Sequence, residues 1–586
     1  MRQGLTHLSL PLVLVAFCFP LFLGLQSTDL DNDEAIYAYA VESILSSGDW
    51  VSPLSSPTND VVFLEKPHLK FWIVALPIRL GLLPYDAFGL RVWDALFGAI
   101  AFVYVFLIGR RLSGSFCGAV AVLVLFAHRP LIFDHGLRST NMDAALVLAY
   151  CGGVYHYLRW TGAAGRGHIH VAAIAACFYL GFMTKFVAAL FLPAVLAVCV
   201  VLVGPHRRQF IADRRQWALA SAGVAAAVIP WFVYQHLAHG ATLWNVMFGE
   251  HVYTRFTAYA DPGHLQPWHF YVTRAYGAFV DGGSALWVGV GLIVLGAETI
   301  RRRRADGMVV LLWLALPLLL ISLGSSKLYH YLYPFLPPLA LAAGYGAAWI
   351  AGHLARLSAP LWIRVAAFEP AVSPGIRVAA TALMVGAGLL ALWTAIAGSV
   401  RLEAGGHLLF RNASIVRPLL VAIACAALAG GVRTAAAGAV VLALAGLVPV
   451  PLAAYAENLH TLRVDRRPLE RLGACLRDVD EARRARGEAV VDRYSPVSGG
   501  FLHSYFYYLR GGGWLDPAVD DARLRAALFV QGQEAPVVIE RASYSAFLER
   551  VGPDVTLPPA VSRPGILVLL PGPYGACDEA RPEPRR

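Results

Sequence analysis

Apolar runs follow one another through most of this chain, and short arginine clusters separate them. The runs cover approximately 8–25, 88–109, 114–133, 141–158, 169–184, 187–203, 217–236, 285–300, 308–324, 332–350, 378–398, 415–431 and 434–453. A helix needs ~20 apolar residues to cross the hydrocarbon of a bilayer, and several of these runs are near the short limit. About thirteen spans are therefore expected. Basic groups gather at Arg110-Arg111, Arg159/Arg166, Arg207-Arg208/Arg214-Arg215, Arg301–Arg304, Arg356/Arg364 and Arg433. Assigning all of them to the cytoplasm lets the spans alternate without conflict, since cytoplasmic loops carry the excess of Lys and Arg. The first run then reads as a span with its N-terminus inside, because no small-residue cleavage site follows it cleanly. The connections 26–72, 134–143 and 237–284, which bear acids, and 325–331 fall outside. An odd number of spans sends the C-terminal part outside too.

Composition agrees. Of 586 residues, 58% are hydrophobic and only 15% charged, where soluble domains carry about a quarter. The net charge of +10 comes from arginines between apolar runs, so it reports topology. A nucleic-acid groove would interleave its basic groups with aromatic and polar side chains. After Leu452 the composition turns polar. Helical patterns at 468–486, 521–530 and 543–551 alternate with short apolar stretches at 488–492, 536–540 and 565–570, which predicts a small α/β domain over 457–586 behind a membrane domain over 1–456. The tail from Asp578 onward is expected to be disordered. Six cysteines lie in apolar runs and read as core. Cys475 and Cys577 are free to form a disulfide if their domain is outside the cytoplasm. There is no convincing repeat, Walker A loop, GxGxxG fingerprint or zinc-ligand cysteine spacing.

The polar stretch Asp29–Trp72 stands out among the apolar runs. It holds Asp29, Asp31, Asp33, Glu34, Glu42, Asp49, Asp60 and Glu65. Carboxylates are costly in hydrocarbon, so they belong to a solvated loop or a polar cavity. A helix opening at Asp33-Glu34 would hold both acids where its dipole favours them. They are candidates for a general base or a stabiliser of developing positive charge, or for simple capping. Glu65-Lys66-Pro67 sets a carboxylate beside an ammonium. Lys66 can hold a phosphate and Glu65 a divalent cation, unless the two are only a surface ion pair. Asp143 opens a span from outside, and Lys185 closes one. In the loop 237–284, His251 is a candidate metal ligand or proton shuttle and Arg255 a phosphate clamp. Lys327 and Tyr331, in Ser325-Ser-Lys-Leu-Tyr-His-Tyr-Leu-Tyr-Pro334, suit either an interfacial belt or a lipid-phosphate site.

These signals share one side of the membrane, the side without a nucleotide-sugar pool. A transferase there needs a donor carried in the membrane, and a polyprenyl-phosphate sugar fits. Asp33-Glu-Ala-Ile-Tyr37, Ser47-Gly-Asp-Trp50 and Phe63-Leu-Glu-Lys-Pro67 resemble the first outer loop of the ArnT-like and protein O-mannosyltransferase-type glycosyltransferases of GT-C fold. Thr140-Asn-Met-Asp143, Thr184-Lys185, Glu250-His251 with Arg255-Phe256, and Lys327-Leu-Tyr-His-Tyr331 extend the resemblance over about residues 8–350. It implies a mainly α, polytopic membrane protein of GT-C type with a small extracytoplasmic C-terminal domain. It implies inverting transfer from a polyprenyl-phosphate-linked sugar to an envelope lipid, glycan or protein, at the outer face of a bacterial inner membrane. It implies Asp33 as the central carboxylate, with Glu34 and Asp143 as further catalytic candidates. Lys66, Arg255, Lys327 and Tyr331 would surround the donor phosphate. Tyr37 and Lys185 would line the cavity, and Glu65 and His251 would hold a divalent metal. Ile36 stands where the family commonly has Arg, His68 replaces a second Pro, and Tyr329 replaces another. The rival readings are a transporter or lipid flippase and a non-catalytic assembly subunit.

Overall fold

A computed structural model describes residues 10–11, 13–55, 61–162, 166–259, 262–366, 373–397, 399–405, 407–413, 417–418, 421–422, 424–425, 428, 449–488, 493, 503–510, 521–530, 533–551, 558–563 and 566–579. The chain divides into two compact units. One comprises 1–23, 64–70 and 92–463. The other comprises 24–63, 71–91 and 464–586.

The first unit is helical. Among the described residues, six helices are long and apolar enough to cross a membrane: Ala87–Ser113, Gly167–Leu202, Arg214–His239, Ala305–Leu323, Tyr329–Leu354 and Pro374–Ala391. That is fewer than the thirteen spans expected. The runs at 415–431 and 434–453 lie largely outside the described residues. Others form helices too short or too charged to count, such as Ser115–Ala127 and Asp143–Trp160 with its Asp143 and Arg159. The expected spans 169–184 and 187–203 are one helical stretch interrupted after Lys185. Phe186 takes a positive φ of 51° there, and a 3-10 turn, Phe186–Leu190, bridges to the helix Phe191–Leu202. The interruption leaves Lys185 at a helix end. Small residues allow close helix crossing, as expected where lipid supplies no hydrophobic drive. A Cβ on Gly291 would come within 2.0 Å of the Ala342 carbonyl oxygen. A two-stranded antiparallel ribbon, β1 (Val400–Ala404) and β2 (His407–Asn412), follows the last of these helices.

The second unit joins the polar stretch to the C-terminal residues. The sequence division at 456/457 falls inside the helix Pro449–Thr461, which belongs to the first unit, while 24–63 and 71–91 cluster with 464–586. The helix Asn32–Ser47 starts one residue earlier than its acids suggest. Asp31 caps it, accepting from the Glu34 amide at 2.8 Å while Glu34 accepts from the Asp31 amide at 2.9 Å, a reciprocal capping box. Gly48 ends it with φ +76°. Asp29 caps a second helix, Pro468–Ala485, through the amides of Leu469 and Glu470 at 2.8 and 3.0 Å. A three-stranded antiparallel sheet runs β3-β5-β4, with β3 Val537–Glu540, β4 Ala560–Arg563 and β5 Ile566–Leu569. With the helices Asp521–Phe529 and Arg541–Val551 it buries Leu524, Leu528, Val537, Ile539, Phe547 and Leu569. The strand expected at 488–492 lies outside the described residues except for Glu488. The sequence pattern does not mark β4. Asp578 and Glu579 belong to a 3-10 helix, Gly572–Glu579, and so are not part of a disordered tail. Cys475 and Cys577 are bonded. Beside them Arg493 and Asp480 form a fully buried pair, with Tyr574 donating to Asp480 at 2.7 Å.

Candidate active site

In the first unit, charged and aromatic side chains gather from four chain segments. Lys66 follows Glu65 just before the helix Leu69–Arg79, and its Nζ lies 3.2 Å from Glu65 Oε2. Asn245–Thr254 winds as a π-helix, a form often found at functional sites. His251 lies in it, and Arg255 directly follows its last residue. His251 Nε2 is 3.7 Å from Glu65 Oε2, and Arg255 donates to the Tyr331 hydroxyl at 2.7 Å. Lys185 closes its helix with Nζ 2.5 Å from Asp143 Oδ1 and 5.7 Å from the centre of the Tyr331 ring. His330 packs edge-on to Tyr331 at 4.9 Å and stacks on His135 at 4.9 Å. It is within electrostatic reach of Lys185, Lys66 and Arg255 together. Three cations and a phenol therefore converge, with Glu65 and Asp143 as the neighbouring acids.

Burial pushes the Glu65 carboxyl up, but Lys66, His251 and Arg255 outweigh it and hold the group below its usual range. Burial lowers His251 to about 4, with Lys66 and Arg255 adding to the shift and Glu65 opposing it. Near neutral pH the pair is thus a carboxylate and a neutral imidazole. The excess charge is positive and suits an anion. Among the described residues no three His, Cys, Asp or Glu side chains gather to hold a metal. Two ligands are half of a tetrahedral zinc set, and here an ammonium shares the carboxylate oxygen. The pair alone does not fit a resident metal site, so no step is derived through one.

Lys327 is spent on the fold. Its Nζ donates to the carbonyls of Gln266, at 2.9 Å, and Gly324. With the Ser325 and Ser326 amides bonded to Phe256 and Arg255 at 3.0 Å, it stitches the loop that presents Arg255. A phosphate ligand would need those donors turned outward.

The second unit holds Asp33, Glu34 and Tyr37 on one helix. Glu34 is 2% exposed and locked to Arg91, which donates from Nε to Oε1 at 2.7 Å and from Nη2 to Oε2 at 2.5 Å. Arg91 spends its other donors on the Leu25, Thr28 and Asp29 carbonyls. Both Glu34 oxygens are thus engaged, and the pair anchors the start of its helix to residues 25–29. Asp33, next to it, is partly exposed. Tyr37 is buried, 6.0 Å from both Phe63 and Phe71.

The sequence reading passed over Arg91, and with it Lys70 and Asp94, a buried ion pair whose Lys70 Nζ also reaches the Asn141 carbonyl at 3.0 Å. It also passed over His330. The signal was present: Lys70, Arg91 and Asp94 are ionisable groups in apolar helices, which is costly unless they are paired.

Residues 65–234 match the family model described as dolichyl-phosphate-mannose-protein mannosyltransferase. The undecaprenyl phosphate-alpha-4-amino-4-deoxy-L-arabinose arabinosyl transferase 2 of Pseudomonas fluorescens is 29% identical over 345 residues, covering 57% of this chain and 55% of that protein. The corresponding transferase of Pseudomonas aeruginosa is 28% identical over 338 residues, covering 57% and 58%. The chain thus spans somewhat over half the length of these relatives. The crystal structure of ArnT from Cupriavidus metallidurans bound to undecaprenyl phosphate superposes with a TM-score of 0.60 at 19% identity, over 98% of this chain and all of that one. The archaeal oligosaccharyltransferase AglB from Archaeoglobus fulgidus, in complex with an inhibitory peptide and a dolichol-phosphate, gives 0.50 at 12% identity over 93% and 71%. With the motifs of its outer loops, its match over 65–234 and this superposition, the chain resembles the ArnT-like membrane proteins and shares their GT-C fold.

Proposed function

We propose that this protein is an integral-membrane glycosyltransferase. It moves a sugar from a polyprenyl phosphate to a lipid, glycan or protein acceptor at the extracytoplasmic face, with inversion at the anomeric carbon. One observation carries the reading: Arg255 and Lys185 meet at Tyr331, and together with Lys66 they lie within electrostatic reach of the neighbouring His330. Three cations against two carboxylates leave one positive charge, the complement of a sugar phosphodiester. Lys66, Arg255 and Tyr331 bind the donor phosphate. When the acceptor oxygen attacks the anomeric carbon, the glycosyl–oxygen bond breaks and its electrons pass to the phosphate. The same three groups then stabilise the added charge, as fixed donors do where charge develops. Lys185, oriented by Asp143, closes the positive field. Asp33 takes the proton of a hydroxyl acceptor, or stabilises the sugar's developing positive charge when the acceptor is a phosphate. Undecaprenyl phosphate on the Cupriavidus protein supports a polyprenyl donor. The Cys475–Cys577 disulfide supports an extracytoplasmic C-terminal part.

The test is a transfer assay on purified protein, with radiolabelled polyprenyl-phosphate sugars and membrane extract as acceptor. Wild type should move label into a new product, and Asp33→Asn should not. Full transfer by a folded Asp33→Asn protein would remove Asp33 from the mechanism. No transfer from any donor, together with lipid-linked sugar crossing sealed vesicles, would favour the flippase.

A further inference from the structure

In the first unit, four helices line an apolar cavity of about 460 Å³. Ile174 and Phe178 line it from Gly167–Lys185, Leu196 and Val200 from Phe191–Leu202, Phe210 from Gly204–Ala212, and Trp217 from Arg214–His239. Phe210 and Trp217 pack at 5.7 Å, and Trp217 meets Trp160 edge-on at 5.3 Å. The short helix Gly204–Ala212 carries exposed Phe210 and Ile211 together with exposed Arg207 and Arg208. This mixture belongs to a helix lying in a membrane interface.

The charge at the cavity is one-sided. Arg207 precedes Phe210 by three residues, and Arg214 precedes Trp217 by three. Residues at that spacing are neighbours on a helix surface, so each arginine shares a face with a ring that lines the cavity. Arg208 and Arg215 add two more exposed cations. The acid between the two helices, Asp213, is already engaged by Trp160 Nε1 at 2.9 Å and Gln216 Nε2 at 3.2 Å. We infer that this cavity binds an anionic phospholipid, with an acyl chain among the apolar side chains and its phosphate on Arg207 and Arg214. A zwitterionic lipid would satisfy the cavity but gain little from the arginines. The anionic headgroup is selected because each basic side chain near a membrane surface adds attraction for anionic lipid.

The experiment is native mass spectrometry of the detergent-purified full chain with equimolar phosphatidylglycerol and phosphatidylcholine. Wild type should retain phosphatidylglycerol preferentially. In Arg207→Gln and Arg214→Gln, singly and combined, that preference should fall about fivefold per arginine removed. Ala220→Phe, which fills the cavity from its wall, should reduce retention of both lipids. Equal retention of the two lipids by wild type would overturn the inference, as would a preference unchanged in the double variant. Displacement of phosphatidylglycerol by an equal concentration of undecaprenyl phosphate would also overturn it, reassigning the surface to the polyprenyl lipid.

Discussion

Glu34 with Arg91, and Glu65 with Lys66, are both a carboxylate beside a cation, yet they are built for different ends. Arg91 uses all five N–H groups on Glu34 and on carbonyls of residues 25–29, and the pair is 2–5% exposed. Nothing is left over for a ligand. Glu65 and Lys66 have side chains 35% and 18% exposed, with His251 at 19% and Lys185 at 12%. Their surroundings are more cationic than anionic. A buried, saturated pair fixes a loop; a half-open, over-charged cluster waits for an anion. Burial and donor count separate the two roles, and sequence composition does not.

The comparison can be broken by substitution. The largest effect is expected at Arg91. Arg91→Ala leaves Glu34 buried without its partner, which costs about 3–5 kcal/mol, so thermal melting should show a severely destabilised or unfolded protein. A melting point near wild type would mean that Glu34 is not anchored as described. Arg255→Ala should do the reverse. Transfer should drop by about 10²–10³, the loss typical of one preorganised charge-stabilising donor, with melting almost unchanged. If stability falls and the residual activity per folded molecule is normal, Arg255 belongs to the fold. Tyr331→Phe removes one hydroxyl and keeps the ring beside Lys185. Its cost should be roughly tenfold in kcat/KM, the worth of a hydrogen bond to a charged group, and an unchanged kcat/KM would take the hydroxyl out of the site.

The last test concerns pH. His251 is held at about 4 in the fold against 6.5 when unperturbed. Between those values the unfolded chain binds the proton more readily, so the contribution of His251 to stability is complete above 6.5. It declines as pH falls towards 4. Subtracting the melting curve of His251→Gln from that of wild type should leave a difference that shrinks across this window. A difference that grows on acidification would mean that His251 is protonated in the fold.

Much of the cluster was legible in the sequence. Lys66, Lys185, Arg255 and Tyr331 are conspicuous because charge and phenol at the ends of apolar runs need a reason. The helices Asn32–Ser47 and Pro468–Ala485 were legible from periodicity. Arg91 and Asp94 were not, because one apolar run absorbed both and their partners, Glu34 and Lys70, lie dozens of residues upstream. Lys327 and Tyr331 look alike as polar groups before a span. Only hydrogen bonds to Gln266 and Gly324 show that Lys327 is spent on a loop.

The sequence alone determined that this chain is a polytopic membrane protein, where its polar loops lie along the chain, and which few ionisable groups demand explanation. Hydropathy and charge act locally, so they can be read residue by residue. The tertiary structure decided which acids are anchors, which cations converge on Tyr331, and that Cys475 meets Cys577. Those outcomes depend on distances between segments far apart in the chain, and the energy of a charge or thiol is set by what the fold brings within a few ångströms of it.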